Sequence, residues 1–218
     1  MKKNRGRFIV LEGLDGSGTT TQTRHLAKWL EDQNLTVKKT FEPTDGPVGK
    51  LIRNVLSRKP VSSDSNTPAS FSEDALCLLF AADRIEHSHQ IREWQAGGRD
   101  VVCDRYVHSS IAYQSLGPSI SAERVVETNR GVAVPDLTIF LDIPVEACLE
   151  RLQGRNESPS VYEKKNILAQ IHRNYLKTAA LYAEHFGPIY TVDGSRSVAE
   201  VTEAIKVIVG KLRKGVSR

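Results

Sequence analysis

The sequence lacks long hydrophobic runs and has few cysteines. No apolar stretch of its 218 residues approaches the roughly 18 that a membrane span requires. The apolar part of the amino-terminal segment is only Phe8–Leu11 and ends at Glu12, so it indicates a buried strand rather than a signal peptide. Three widely spaced cysteines form no disulfide framework and no CxxC pair. We therefore expect a cytoplasmic protein without a membrane partner.

Dense basic stripes with interleaved aromatic residues are also absent. The net charge is +4 and the sequence pI is near 9.0, which alone would permit a nucleic-acid partner. His87 and His89 are two residues apart and would point to different faces of a helix, so they do not form a metal-ligand pair. We expect anionic small molecules as ligands and no nucleic acid.

Short apolar runs alternate with helical patterns along the whole chain. This alternation is typical of an α/β protein with three layers, in which about five parallel strands carry helices on both faces. No internal repeat or domain boundary is visible, so residues 1–218 are expected to form one domain. Strands are predicted at Arg7–Glu12, Leu35–Thr40, Asp100–Cys103, Leu137–Ile143 and Ile189–Val192. Helices are predicted at Thr20–Asp32, Val48–Leu56, from a capping box at Ser70 to about Gln95, and at Ser109–Leu116, Ala122–Gly131, Val145–Leu152, Val161–His185 and Val198–Arg213.

The carboxyl ends of parallel strands meet at one edge of the sheet, where ligands bind. Acidic residues stand at or just after each predicted strand end and are candidates to face a common cleft. They are Glu12, Glu42, Asp104, Asp142 and Asp193.

A glycine-rich segment follows the first strand and opens the first helix. Residues Gly13–Thr20 (GLDGSGTT) match the phosphate-binding pattern G-x-x-x-x-G-K-[ST] at both outer glycines and at Thr20. The pattern predicts a fold of the P-loop NTPase type, with backbone N–H groups around phosphate oxygens and the Thr20 hydroxyl on Mg²⁺. The predicted ATP-binding residues are Gly13, Leu14, Asp15, Gly16, Ser17, Gly18, Thr19, Thr20 and Thr21.

The lysine of that pattern is missing, because Thr19 occupies its position. This lysine normally neutralises the β- and γ-phosphates. Three consequences are open: another cation substitutes, the enzyme is slow, or the protein binds nucleotide without turnover. The candidate cations are Arg105, Arg151 and Arg155.

With these residues and three further segments, the chain resembles the thymidylate kinase family. The first segment is Glu12–Gln22 (EGLDGSGTTTQ) and the second is Phe41–Pro43 (FEP). The third is Leu78–Arg84 (LLFAADR), and the fourth is DRY at Asp104, followed by Ser109 and by AYQ at Ala112. The order and spacing of all four segments span most of the chain, whereas no single segment would be specific.

The resemblance implies a binding role for each matching residue. Asp15 would receive the 3′-hydroxyl of dTMP, with an Asx-type turn as the alternative, and Phe80 would stack on thymine or serve as helix core. Arg84 would donate to the thymine carbonyl, unless it forms a surface salt bridge with Asp83 or Glu86. Tyr113 would lie against the sugar or simply pack. The predicted dTMP-binding residues are Asp15, Glu42, Arg53, Phe80, Arg84, Arg105, Ser109, Tyr113 and Gln114.

The resemblance also implies the metal and the catalytic cations. Asp104 would order Mg²⁺ together with Thr20, and Arg105 would contact the acceptor phosphate, with a buried ion pair of Asp104 and Arg105 as the alternative. A short basic lid is expected near residues 151–161. In it Arg155, and secondarily Arg151, would be catalytic. The alternative is that both are solvated cations at a helix end. In Ser160–Glu163 (SVYE) only the glutamate of the D-R-x-E run seen in bacterial relatives is present.

These implications define the expected function. It is phosphorylation of dTMP to dTDP with Mg-ATP, with Asp15, Arg105, Arg151 and Arg155 as catalytic residues. The alternatives are a kinase of another nucleoside monophosphate or deoxynucleoside, and a catalytically impaired nucleotide-binding homologue. The resemblance also implies a homodimer, formed through long helices such as Phe71–Gln95.

Overall fold

A computed structural model of the protein describes residues 5–57, 71–153, 161–213 and 215. Its strands are β1 (Phe8–Gly13), β2 (Val37–Phe41), β3 (Asp100–Asp104), β4 (Leu137–Asp142) and β5 (Ile189–Asp193). Its helices are α1 (Thr19–Glu31), α2 (Pro47–Leu56), α3 (Glu73–Ala96), α4 (Val107–Gln114), α5 (Ala122–Thr128), α6 (Val145–Gln153), α7 (Val161–Phe186) and α8 (Val198–Arg213).

The five strands form one parallel sheet in the order β2-β3-β1-β4-β5. This confirms the predicted fold class. In the register of the sheet, Leu11 and Phe41 both pair with Asp104, and Asp142 pairs with Asp193. The strands therefore end together at one edge, which positions the loops that follow them around a shared space.

The central strand β1 is buried on both faces. Phe8 and Val10 pack in a cluster with residues of α3, α4, α5 and α7, whereas Ile9 and Leu11 pack in a cluster with α1 and α8. Successive side chains of a strand point to opposite faces, so an unbroken apolar run fits a strand that is covered on both sides. Helices thus flank the sheet as predicted.

Several element boundaries differ from the predicted ones by a few residues. The N-cap of α3 is Ser72, whose hydroxyl accepts from the Ala75 amide at 3.3 Å, and not the predicted Ser70. Helix α4 begins at Val107 rather than Ser109, directly after the turn at Arg105. Helix α5 ends at Thr128 and stops short of Gly131.

Two regions of interest extend outside the described residues. Residues 154–160 of the expected lid, with Arg155, lie there, as do residues 58–70 between α2 and α3. Within the described ranges, no helix combines the length and the apolar character needed to cross a bilayer.

The buried histidine of α4 gives stability a predictable pH dependence. His108 contacts the rings of Tyr175 and Tyr182, and burial lowers its pKa to about 3. In the unfolded chain the imidazole of His108 takes up a proton near pH 6.5, whereas in the folded chain it stays neutral until about pH 3. Acid therefore favours the unfolded state. We expect the contribution of His108 to the free energy of unfolding to fall by about 1 kcal/mol per pH unit below roughly pH 6.

Urea denaturation of the wild type and of His108→Gln checks this expectation. The difference in free energy of unfolding between the two proteins should shrink between about pH 6 and about pH 4, because only the wild type titrates at this position. A difference that stays constant across this range would contradict the expectation.

Candidate functional site

The glycine-rich segment forms a loop between β1 and α1. Gly16 and Gly18 both have positive φ, and the Ser17 amide donates to the Leu14 carbonyl at 3.0 Å. Helix α1 begins without a side-chain cap and has no acidic residue in its first turn. Its first N–H groups therefore have no partners within the helix, and this end of the helix attracts an anion.

Helix α6 packs directly behind this loop at Gly16. A Cβ atom at Gly16 would lie 2.7 Å from the Cys148 carbonyl oxygen, and the φ of +84° disfavours any residue with a side chain. The loop therefore has no room for an added cation at this position. The loop Gly13–Thr20 also contains no lysine or arginine, so positive charge beside it is supplied by side chains of other elements.

Arg151, in the last turn of α6, lies against the same loop. Its Nη1 donates to the Gly16 and Ser17 carbonyls at 3.4 and 3.3 Å, and its Nη2 donates to the Gly194 carbonyl at 3.2 Å. The guanidinium thus connects the phosphate loop with the loop after β5. Among the cations proposed to replace the missing lysine, Arg151 is placed beside the loop, and Arg155 lies outside the described residues.

Thr20 and Asp104 meet at the start of α1 and the end of β3. The Thr20 hydroxyl donates to Asp104 Oδ2 at 2.5 Å. Asp104 Oδ1 is buried and has no hydrogen-bond partner among the described residues. Oxygen ligands of this kind suit Mg²⁺, so the two residues predicted to order the metal are brought together.

Arg105 extends from the end of β3 toward the phosphate loop. Its φ is +68°, a conformation that is uncommon for residues other than glycine. Its Nη2 donates to Asp15 Oδ1 at 2.7 Å, and its guanidinium lies 5.5 Å from the centre of the Tyr113 ring. The proposed ion pair of Arg105 with Asp104 is therefore wrong, because Asp104 faces Thr20 instead.

The buried carboxylate of Glu12 fixes the turn that carries Arg105. Glu12 accepts hydrogen bonds from the Tyr106 amide at 2.9 Å, the Ser109 amide at 3.2 Å and the Ser109 hydroxyl at 2.5 Å. Burial raises the pKa of Glu12, and the hydrogen bonds from Ser109 and the charge of Arg105 lower it in part. Ser109 therefore lies behind Arg105 and ties it to β1.

Arg84 and Glu42 form a second buried group. Arg84 is 1% exposed, and its Nε donates to Glu42 at 2.7 Å. Its other nitrogens donate to Asn129, Ser110 and the Tyr106 carbonyl. A surface salt bridge of Arg84 with Asp83 or Glu86 is therefore wrong.

Asp83 has a different partner in the loop after β2. Its carboxylate accepts from the Thr44 amide at 2.7 Å and from the Thr44 hydroxyl at 2.6 Å. Glu42, in the same loop, also accepts from His87 Nδ1 at 2.8 Å. These bonds hold the loop after β2 against α3.

A cleft of about 1350 Å³ lies along this edge of the sheet. The phosphate loop, Arg105, Tyr113 and Arg151 line it, together with Arg196 and apolar residues of α6 and α7. The remaining predicted dTMP residues, all of them described, do not line this cleft: Glu42, Arg53, Phe80, Arg84, Ser109 and Gln114. The cleft thus extends from the phosphate loop, which includes Asp15, to Arg105 and Tyr113, and the other predicted dTMP-binding residues do not line it.

Three of those remaining candidates differ in their surroundings. Arg53 donates to the Pro43 carbonyl at 2.5 Å and to Asp45 at 2.9 Å. Phe80 is partly buried, and the Oε1 atom of Gln114 is buried without a hydrogen-bond partner among the described residues. Arg53 is therefore held to the loop after β2, while Gln114 retains an unused acceptor.

Two side chains with direct contacts to the site were not singled out in the sequence. Tyr175 of α7 places its hydroxyl 2.7 Å from the Ser109 hydroxyl and 3.5 Å from Arg105 Nη1. Asn129 accepts from Arg84 at the end of α5. In the sequence Tyr175 is one of several apolar residues at helical spacing along α7, so no local pattern distinguishes it from the core.

Comparison with known proteins agrees with this geometry. The model of the thymidylate kinase family matches residues 11–205. A probable thymidylate kinase of Pyrococcus abyssi is 39% identical over 206 residues, which cover 94% of this chain and 96% of the relative. A probable thymidylate kinase of Pyrococcus horikoshii is 41% identical, covering 83% and 86%, and one of Methanocaldococcus jannaschii is 39% identical, covering 91% and 93%. The chain belongs to the thymidylate kinase family.

Proposed function

We propose that this protein transfers the γ-phosphoryl group of Mg-ATP to dTMP and yields dTDP. The observation that carries the proposal is the pair of Arg105 and Asp15 at the mouth of the phosphate loop. In a chain of the thymidylate kinase family, Arg105 would bind the acceptor phosphate and Asp15 would bind a sugar hydroxyl. Both side chains lie at the loop that would hold ATP. Phosphoryl transfer requires little covalent chemistry from the protein, so positioning and charge neutralisation are the main tasks.

On the donor side, backbone N–H groups of the loop and of the first turn of α1 would surround the ATP phosphates. Thr19 brings no charge to them. Arg151 would bring it, because its guanidinium already lies within 3.4 Å of two loop carbonyls. Once phosphates are bound, Arg151 would exchange contacts with neutral carbonyls for contacts with anionic oxygens, which are the stronger hydrogen-bond acceptors. Arg155, which the family resemblance ranks first for this role, lies outside the described residues and is the alternative to Arg151.

The metal belongs to this donor side. Thr20 and Asp104 would hold Mg²⁺, and the unpartnered Oδ1 of Asp104 fits a hydrated ion. Mg²⁺ usually keeps several waters and binds through one or two protein groups and the substrate phosphates. When bound, the ion neutralises charge on the β- and γ-phosphate oxygens.

On the acceptor side, the fork of Arg105 would bind the dTMP phosphate and Asp15 would accept the 3′-hydroxyl. Phosphate binding has to compete with the 2.7 Å ion pair between these two side chains, so dTMP would separate them and take up both. Burial raises the pKa of Tyr113 to about 12, and its hydroxyl therefore stays neutral beside the sugar. Gln114 would line the same side of the nucleotide as Tyr113. Its Oε1, which has no hydrogen-bond partner among the described residues, would accept a hydrogen bond there.

For the thymine base, Phe80 would supply the stacking surface and Arg84 a single donor. Among the described residues, Arg84 gives one N–H to Glu42, one to Asn129 and two from Nη2 to Tyr106 and Ser110. A guanidinium has five N–H groups, so one remains on Nη1 for a thymine carbonyl. Glu42 would act through Arg84. Arg53 of α2, whose side chain is held to the loop after β2, would contact the phosphate.

We further propose a cytoplasmic homodimer built as one domain, with the lid near residues 151–161. The support for the dimer is a pair of exposed apolar side chains seven residues apart on α3: Leu78 is 54% exposed and Ile85 is 44% exposed. Residues at this spacing share one face of a helix. Three buried, unpaired cysteines suit a reducing compartment in which ATP is available.

A steady-state assay that couples ADP release to a spectroscopic readout tests the function. The wild type is assayed with ATP, Mg²⁺ and a panel of nucleoside monophosphates, with thymidine included as an acceptor without phosphate. We expect dTMP to have the highest kcat/KM of the panel. A higher value for another monophosphate would refute the substrate assignment, and nucleotide binding without ADP release would refute catalysis.

A further inference from the structure

We propose that the hydroxyl group of Tyr175, on α7, is a positioning group for Arg105. This inference rests on the proposed function, because it concerns how the arginine of the acceptor site is aimed. Tyr175 is fully buried and does not line the cleft, so it would act through Arg105 and Ser109 rather than on a substrate.

Four polar groups from three parts of the fold converge on this one hydroxyl. They are the Ser109 hydroxyl at 2.7 Å, the Gly13 carbonyl at 3.2 Å, Glu12 Oε2 at 3.4 Å and Arg105 Nη1 at 3.5 Å. Glu12 and Gly13 end the strand that leads into the phosphate loop, and the other two belong to the turn after β3 and to α4. The hydroxyl therefore lies where the strand that leads into the phosphate loop meets the turn that carries Arg105.

The direction of these hydrogen bonds follows from counting protons. The Ser109 hydroxyl has a single proton and gives it to Glu12 at 2.5 Å. The short contact between Ser109 and Tyr175 then uses the single proton of Tyr175, so the longer approaches of the phenolic oxygen to the Gly13 carbonyl and to Glu12 Oε2 carry no proton, and the oxygen accepts from Arg105. Arg105, Tyr175, Ser109 and Glu12 thus form a hydrogen-bonded chain that ends on a buried carboxylate, and Arg105 Nη1 also reaches Ser109 directly at 3.3 Å. Each bond in such a chain polarises the next.

The ring of Tyr175 has contacts that keep its hydroxyl in place. It stacks on Phe140 with the ring centres 5.0 Å apart, and His108 meets it edge-on at 4.9 Å. These ring contacts account for ordinary packing and would be retained by phenylalanine. The hydroxyl group, by contrast, has polar partners only in the site, so replacing tyrosine by phenylalanine separates the two roles.

Helix α7 also contains a matched control. Tyr182, seven residues later on the same face, is equally buried, and its hydroxyl lies 2.7 Å from the Thr138 hydroxyl in the middle of β4. Tyr182→Phe therefore removes one buried tyrosine hydroxyl that has a single close partner, the Thr138 hydroxyl, away from the phosphate loop. Tyr175→Phe removes the matching contact with the Ser109 hydroxyl and also the contact with Arg105, so its Tm should fall at least as far.

The kinetic results should differ between the two variants. For Tyr175→Phe we expect kcat/KM for dTMP to fall about tenfold, with KM for ATP changed less than about twofold, because a misaimed arginine affects transfer to the acceptor more than donor binding. Tyr182→Phe should keep wild-type kinetics. Values for Tyr175→Phe within about twofold of wild type, or an equal loss in both variants, would overturn the proposal.

A double-mutant cycle with Ser109→Ala tests the chain itself. Since Tyr175 and Ser109 belong to one chain, the double variant should lose less activity than the product of the two single losses. Independent, multiplicative losses would refute the chain. The wild-type panel assay decides the substrate first, and the variants are then compared with the monophosphate that the wild type phosphorylates fastest, so a wrong substrate assignment leaves this test valid.

Discussion

Arg105→Ala is expected to lower kcat/KM for dTMP about 10³-fold, which corresponds to about 4 kcal/mol of lost transition-state stabilisation. Arg105 is the only cation among the described residues that lines the cleft and contacts Asp15. Its removal would leave the acceptor phosphate without a bidentate partner and Asp15 without its counterion. The coupled ADP assay, run as a function of dTMP concentration, measures the loss.

Two further variants make this result specific to the site. Arg105→Lys keeps the charge but loses the planar fork, so it should recover only part of the activity. Arg130→Ala removes an exposed arginine that pairs with Glu127 and does not line the cleft, and it should behave as wild type. Loss of activity in Arg130→Ala, or near-normal activity in Arg105→Ala, would refute the assignment of Arg105.

Arg151→Ala is expected to lower kcat about 10²-fold while KM for dTMP changes little, because the lost charge acts on the phosphates of ATP. The loop offers no replacement, since Thr19 is uncharged and Gly16 is packed against the Cys148 carbonyl. Steady-state kinetics with varied ATP and saturating dTMP provide the measurement. A kcat within about threefold of wild type would show that Arg151 is not the substitute, and Arg155→Ala would then be the variant to assay.

Because the lysine of the phosphate-loop pattern is missing, a rescue experiment can test whether Arg151 supplies its charge. If the defect of Arg151→Ala is one of charge, then adding Thr19→Lys to it should restore much of kcat, because a lysine at this position reaches the β- and γ-phosphates. Thr19→Lys alone should leave activity intact or raise it. A severe loss of activity in Thr19→Lys alone would mean that the site has adapted to a threonine at this position. Thr19 is only 5% exposed, so a lysine here would need space that the threonine does not use.

The sequence alone was sufficient for the fold class and for the position of the phosphate loop. Strands such as β1 are short, continuous apolar runs, and the glycines of Gly13–Thr20 mark a backbone conformation that few other residues adopt. These signals are local: they depend on residues that are close in the chain. Element boundaries were less accurate, as at Ser72, because capping depends on which hydroxyl reaches the amide.

The tertiary structure decided which polar side chains share an environment. Thr20 and Asp104 are 84 residues apart, and Arg105 and Asp15 are 90 apart, yet both pairs are within hydrogen-bond distance. The sequence placed Asp104 and Arg105 at a strand end and Asp15 and Thr20 in the glycine-rich segment. Among its alternatives, however, it paired Arg105 with Asp104, which is wrong, and treated Arg84 as a potential surface residue. Parallel strand order sets these pairings, and strand order is not a local property of the chain.

The phosphate loop illustrates both contributions. Its sequence predicted nucleotide binding and also the problem of a threonine in place of lysine. Only the packing of α6 and α7 against that loop placed Arg151 beside Gly16 and the Tyr175 hydroxyl beside Gly13. Both residues come from helices more than 100 residues further along the chain. In the sequence Arg151 was one of three candidate cations, whereas Tyr175 did not differ from the other helix residues around it. Their contacts arise because burying the apolar faces of these helices against the sheet brings one polar group of each to the loop.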